Sequence, residues 1–234
     1  MVNAALPILL IPGLNCSARL YGPQIPALWR LGPVLIADHT RADTMQGIGA
    51  SMLAAAPPQF RLVGLSMGGY LAFEILRQAP ERVAKLALLD TSARPDRPEQ
   101  TERRRDFIRL AEAGRFMEMN EVLWPILVHE TRQGNRALRV IVDAMAQETG
   151  PEAFIRQQQA LIGRPDSRPN LRSIRCPTLV VVGDSDQLTP PELSHEMAEA
   201  IPGARLETVA TCGHLSTLER PEVLSKLLVD FLGG

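Results

Sequence analysis

Short apolar runs recur along the chain, each closed by a glycine or a polar residue. Residues 8–11 stop at Pro12-Gly13, residues 34–37 at Asp38, and residues 60–65 run into Gly64-Leu65-Ser66. Residues 86–89 end at Asp90, residues 178–182 at Gly183, and residues 205–209 just before Thr211-Cys212-Gly213. Continuous rather than alternating apolarity predicts strands buried on both faces, as in a parallel sheet. Between them the period changes. Residues 67–79 place Leu71, Ala72, Ile75, Leu76 and Ala79 on one helical face and stop at Pro80. Residues 192–200 follow Pro190-Pro191, a favourable helix entry. Residues 221–232 carry Val223, Leu224, Leu227, Leu228 and Phe231 at helical spacing. This strand–helix rhythm predicts an α/β fold with a mostly parallel sheet.

One stretch breaks the rhythm. Residues 93–173 carry no strand signal and are rich in Arg, Glu, Gln and Met. They predict helices over 96–114, 116–130 (bent or interrupted at Pro125), 135–147 and 151–162. The expected organisation is a core of residues 1–92 and 174–234, with a helical insertion at 93–173 packed on the sheet. The run Arg103-Arg104-Arg105 reads as a solvated helix face.

Composition narrows the partners. A chain of 234 residues is long enough to bury a core without disulfide or metal staples. With 25 Lys and Arg against 26 Asp and Glu, nothing asks for a polyanion, so nucleic acid is not an expected ligand. The 3 cysteines, Cys16, Cys176 and Cys212, show no C-x-x-C spacing and predict neither a disulfide framework nor a zinc site. The N-terminus lacks a basic segment and Pro12-Gly13 interrupts its apolar run, which argues against a signal peptide. No apolar run approaches the ~18 residues that span a bilayer. The expectation is a cytoplasmic protein without membrane contact.

The strongest local feature is Gly64-Leu65-Ser66-Met67-Gly68, lying between an expected strand and an expected helix. That context suits a sharp turn presenting a serine hydroxyl above the sheet at a helix N-terminus. Residues two before and two after the serine must lack bulk, and Gly64 and Gly68 meet that need. A serine requires a base. Of the four histidines, His214 follows the last strand in a loop of small neighbours, at the carboxyl edge where crevices of parallel sheets form. His39 shares that edge but follows a more peripheral strand. His195 falls on an amphipathic helix and His129 in the helical block. The base needs an orienting acid. Asp186 leads because the loop after Gly183 must extend toward the histidine, with Asp184 and then Asp90 as alternatives. The order Ser66, Asp186, His214 is that of one triad architecture. The first strand exits through Pro12-Gly13-Leu14-Asn15, so the Leu14 and Met67 N–H groups are expected to form an oxyanion hole. Cys16 and Cys212 read as buried packing thiols.

Together these residues resemble the α/β-hydrolase superfamily: Leu9-Leu10-Ile11-Pro12-Gly13, Gly64-Leu65-Ser66-Met67-Gly68-Gly69-Tyr70, the stretch from Val182 to Pro190, and Cys212-Gly213-His214. Within it the chain looks like the small bacterial branch of carboxylesterases, enol-lactonases and cofactor-free haloperoxidase-type enzymes. The resemblance implies a helical cap at residues 93–173 and the acid at Asp186. Pro12-Gly13 stands where many relatives have His-Gly. The first strand begins near Met1, so six core strands are expected rather than eight. Ser66 excludes the aspartate nucleophile of dehalogenases of this fold. The expected function is hydrolysis of a small to medium carboxylic ester or lactone, without metal or organic cofactor. Alternatives on the same residues are thioester hydrolysis, acyl transfer or perhydrolysis. A non-enzymatic ligand-binding role ranks last. Trp124, Phe107, Phe116, Met117, Met119, Met145 and Phe154 are candidate pocket residues, most of them expected in the core of the cap.

Overall fold

The computed structural model describes residues 5–234. Residues 1–4, part of the segment read above for a signal peptide, lie outside the described residues. The core elements, in chain order, are β1 (Ile8–Ile11), α1 (Ile25–Leu28), β2 (Val34–Ile36), α2 (Met45–Ala55), β3 (Phe60–Leu65), α3 (Met67–Gln78) and β4 (Val83–Leu89). Four helices follow: α4 (Pro98–Glu112), α5 (Glu118–Leu127), α6 (Arg136–Thr149) and α7 (Pro151–Ile162). The chain then completes the core with β5 (Thr178–Gly183), α8 (Pro191–Ala200), β6 (Arg205–Val209), α9 (Ser216–Glu219) and α10 (Pro221–Gly233).

The strands form one six-stranded sheet in the order β2-β1-β3-β4-β5-β6, and every pairing is parallel. Period-two alternation sorts their side chains onto two faces. Leu9, Ile11, Leu62, Leu86, Leu88 and Val180 meet Met45, Ile48, Met52, Leu71, Ile75 and Met197 from α2, α3 and α8. Ile8, Leu10, Val63, Leu65, Ala87, Leu89 and Val181 meet Leu28, Leu224, Leu228 and Leu232 from α1 and α10. Each fully buried aliphatic side chain contributes roughly 1.5–3 kcal/mol of transfer free energy. With helices on both faces, the inner strands β1, β3 and β5 are buried at every position, as their unbroken apolarity predicts.

The outer strands differ from that expectation. All of β2 is half-buried, and in β6 only Val209 is buried. They are the two edges of the sheet, so neighbours cover them less completely. Two further differences have local causes. Helix α2 has no counterpart among the expected elements, and Gly47 and Gly49 weaken its intrinsic propensity. Burial of Met45, Ile48 and Met52 overrides it, and Thr44 caps the N-terminus by accepting from Gly47 N at 3.1 Å. β4 starts at Val83 rather than at residue 86. The polar Lys85 lies half-buried inside that strand, its amine donating to Phe231 O at 2.9 Å.

Between β4 and β5 the chain contains helices and no strand. α5 runs through Pro125 for two further residues. A separate small core of Phe107, Ala111, Phe116, Met119, Ala146 and Phe154 forms there, with the Phe116 and Phe154 rings 5.2 Å apart. The two ends of the excursion lie together, Ser167 N donating to Ala93 O at 2.9 Å. Within the basic run the structure corrects one residue. Arg104 is not solvated: it pairs with the buried Asp96 at 2.6 Å and donates to Gln158 Oε1 at 2.9 Å. Asp96 also takes Arg164, whose guanidinium stacks 4.3 Å from the Tyr70 ring centre. No helix among the described residues is long and apolar enough to cross a membrane.

Candidate active site

From β1 the chain turns outward to β2 and then crosses back to β3, so connections diverge on either side of the β1–β3 pair. Crevices in parallel sheets form beyond the carboxyl ends of strands at such a switch point. Ile11 is in register with Gly64, which sets the β1 exit turn beside the β3 exit turn. Ser66 lies there, between β3 and α3.

Its backbone sits at φ 54°, ψ −115°. A non-glycine residue in such a region costs about 1–3 kcal/mol and persists only where its surroundings hold it. Here Ser66 N donates to Leu89 O at 2.9 Å, and Ser66 O accepts from Gly69 N at 2.9 Å and Thr91 Oγ1 at 2.8 Å. The flanking glycines are obligatory for space: a Cβ on Gly64 would overlap the Gly68 carbonyl, and one on Gly68 the Ile11 carbonyl. Ser66 and His214 line one cavity of about 80 Å³, with no hydrogen bond joining the serine hydroxyl to the imidazole.

The His214 ring is held from its other side. Nδ1 lies 2.7 Å from Asp186 Oδ2, and both residues are buried. Since an ionised carboxylate only accepts, Nδ1 carries the proton and Nε2 is left as the basic nitrogen. Asp186 also accepts from Leu188 N at 2.9 Å, Thr189 N at 3.0 Å and Thr189 Oγ1 at 2.7 Å. Burial alone would raise its pKa. The His214 charge and these donors outweigh that and hold it below the ordinary value. Burial likewise disfavours imidazolium at His214, but the Asp186 charge and hydrogen bond, with Asp90 and Glu219 beyond, hold its pKa above the ordinary value of 6.5.

The other acids do different work. Asp184 accepts from Thr211 N at 2.8 Å and Cys212 N at 3.1 Å, which shapes the turn before His214. Asp90, at the end of β4, is wholly buried and accepts from Gly183 N at 3.0 Å and from Ser216 N and Oγ. Burial, reinforced by the Asp186 charge, pushes its pKa up to about 8. Among the other histidines, His195 is exposed on α8 and His129 is half-buried beside Thr131. His39 is buried and points Nε2 at Gly13 O, 2.9 Å away. It thus supports the exit turn of β1 from a neighbouring strand, a contact that follows from the sheet order. Leu14 lines the cavity with Ser66 and Met67 follows Ser66 in the chain; among the described residues neither N–H donates to a protein acceptor.

Of the seven candidate pocket residues, only Met119 and Met145 line the serine cavity. Phe107, Phe116 and Phe154 belong to the separate small core, and the partly buried Met117 packs against it. Trp124 is buried against Leu138 and Val142, with its indole N–H on Gln133 O. The walls that sequence reasoning missed include Asn15, Asn120, Leu123, Leu127, Val142 and Leu188. A 3.6-residue reading of α5 would have put Asn120, Leu123 and Leu127 on one face. Cys16 lines the wall too, but burial pushes its thiol up to about 12, which keeps it unreactive. Beyond Leu188 lies a wider cleft of about 800 Å³, reaching Tyr70, Arg103 and Arg164. Among the described residues no three His, Cys, Asp or Glu side chains converge as a metal-binding set.

Residues 8–227 match the alpha/beta hydrolase family, and the chain belongs to that family of hydrolases, within its small bacterial branch. It is 27% identical to the provisionally named carbamate hydrolase RutD of Azorhizobium caulinodans, over 99% of this chain and 92% of that protein. A thermophilic esterase from Thermogutta terrifontis superposes with a TM-score of 0.87 at 29% identity, covering 98% of this chain and 90% of the esterase. The enol-lactonase from Burkholderia xenovorans LB400 shares the fold, with a TM-score of 0.88 at 24% identity over 99% of this chain and 93% of that one.

Proposed function

We propose that this hydrolase is a serine carboxylic-ester hydrolase acting on small to medium esters or lactones. The observation that carries the reading is the 2.7 Å contact of His214 Nδ1 with Asp186 Oδ2, in a cavity that Ser66 and His214 share. His214 Nε2 takes the Ser66 proton as Oγ attacks the substrate carbonyl carbon. The Leu14 and Met67 N–H groups stabilise the oxyanion that forms. Collapse breaks the ester C–O bond, and His214 returns the proton to the departing alkoxide. Water, deprotonated by His214, then releases the acid and restores Ser66. Asp186 stays ionised throughout and holds the imidazolium. No step calls on a metal or an organic cofactor.

Residues 93–173 act in this reading as a cap on a core of residues 1–92 and 174–234. Support comes from their separate small core and from the joined ends at Ala93 and Ser167. Met119, Asn120 and Met145 from the cap bound the serine cavity. At about 80 Å³, the cavity suits a short acyl or alkoxy group, with the remainder of the substrate in the outer cleft. The named relatives act on a carbamate, an ester and a lactone, which share attack at a carbonyl carbon. The test uses short-chain p-nitrophenyl esters with the wild type and Ser66→Ala. Wild-type hydrolysis and a Ser66→Ala rate near the uncatalysed background are expected. Equal rates for the two proteins would remove Ser66 from the mechanism.

A further inference from the structure

Glu219 closes α9, five residues beyond His214, and takes no part in the chemistry above. It is 2% exposed, and among the described residues every hydrogen bond of its carboxylate comes from a backbone N–H group. Oε1 accepts from Gly213 N at 3.0 Å and Leu215 N at 3.3 Å, the residues on either side of His214. Oε2 accepts from His129 N at 2.7 Å, in the segment that leaves α5. One carboxylate thus spans the histidine loop and the helical block.

The same two segments meet in other ways. His214 N donates to Leu127 O at 2.9 Å. A Cβ on Gly213 would stand 2.6 Å from His129 N, so the loop has room for the segment only because residue 213 is glycine. From α5, the helix anchored in this way, Met119, Asn120, Leu123 and Leu127 line the cavity that holds Ser66.

We propose that Glu219 is a positioning residue that holds the His214 loop and the α5 wall of the serine cavity in one fixed register. This rests on the serine-hydrolase reading. An ionised carboxylate is acceptor-only and can take all three N–H donors at once, whereas a carboxamide in its place turns an NH2 toward one of them. The negative charge also acts on the imidazolium. His214 is faced by Asp186 from the loop after β5, by Asp90 from the end of β4 and by Glu219 from α9, and Glu219 is faced in turn by His129.

The experiment compares Glu219→Gln and Glu219→Asp with the wild type and Ser66→Ala on p-nitrophenyl esters. Rates are measured across pH, below the Tm of each variant, and normalised to folded protein by circular dichroism. Glu219→Gln is expected to lose about 100-fold in kcat/KM, the scale of a ~1 Å misplacement. KM should rise as kcat falls, and the acid-limb midpoint should move down. Glu219→Asp keeps the charge but is one methylene too short for all three donors. It should fold, raise KM and leave the midpoint near that of the wild type. Folded variants with wild-type kcat, KM and midpoint, or with a lowered Tm alone, would overturn the positioning role. A fully active Ser66→Ala would instead overturn the ester-hydrolase reading, so the two failures are distinct.

Discussion

The buried imidazole of His39 lies 2.9 Å, through Nε2, from the carbonyl oxygen of Gly13. A carbonyl only accepts, so Nε2 carries the proton, and burial lowers the pKa of the ring. The contact fixes the turn that presents the Leu14 N–H beside Ser66. His39→Leu removes the donor and leaves the Gly13 carbonyl without it. Loss of one oxyanion donor costs about 100–1,000-fold in kcat. A loosened donor should cost less, about 10-fold, with KM little changed. Steady-state kinetics of His39→Leu check this, and an unchanged kcat would free the turn from His39.

Activity should follow the charge of His214. The imidazole must be neutral to accept the Ser66 proton, so kcat/KM is lost as pH falls through its pKa. That pKa is held above 6.5, so the acid limb should lie above the ordinary imidazole value. Asp186→Asn removes the main raising influence and fixes the wrong tautomer. It should lower the midpoint and reduce kcat by about 10⁴-fold. A pH–rate profile of both proteins decides it; an unmoved midpoint would mean that Asp186 does not act on His214.

Asp90 offers a test through stability. Its native pKa is about 8 against an ordinary 3.8, so the native state binds the proton more tightly than the unfolded chain. The sign follows from linkage. The stabilising contribution is full below the unfolded value, declines as pH rises past it, and is gone above about 8. Asp90→Asn mimics the protonated acid, its NH2 donating to Ser216 Oγ. Its Tm should therefore vary less than the wild type's between neutral and mildly alkaline pH. Parallel Tm–pH curves for the two proteins would contradict the assignment.

The cavity wall makes a prediction about substrate size. Met145 is 1% exposed and lines the small cavity. Met145→Ala removes side-chain volume there without touching Ser66, Asp186 or His214. Since each added methylene in an apolar pocket is worth roughly 1–3 kcal/mol, chain-length preference should move to longer esters. A series from acetate upward measures it, and the same optimum in both proteins would place the acyl group elsewhere.

Much of the architecture was legible because its signals are local. The inner strands show their burial as unbroken apolarity, and the Ser66 turn shows its steric needs as Gly64 and Gly68. Asp186 followed from loop reach and from resemblance, and the structure sets it, rather than Asp184 or Asp90, on the imidazole. What stayed hidden depends on contacts distant in sequence. The role of His39 appears only once the strand order places β2 beside β1. Asn15 and Asn120 share a wall across an interval of 105 residues, and Glu219 reaches His129 across 90. Helix α2 was missed for a different reason, since its two glycines mute propensity and only packing against α3 and the sheet restores the helix.

Leu188 lines both the small cavity at Ser66 and the wide outer cleft, and its backbone N–H donates to Asp186 Oδ1 at 2.9 Å. The partition between the two compartments is therefore built from the same turn that aims the acid. A proline at residue 188 would remove that donor, whereas other side chains there reshape the passage and keep it; changes on α5 or α6 alter the far wall away from the groups that bond Asp186. The side chain at residue 188 is therefore a threshold between the two compartments whose size can vary while its backbone goes on holding the acid.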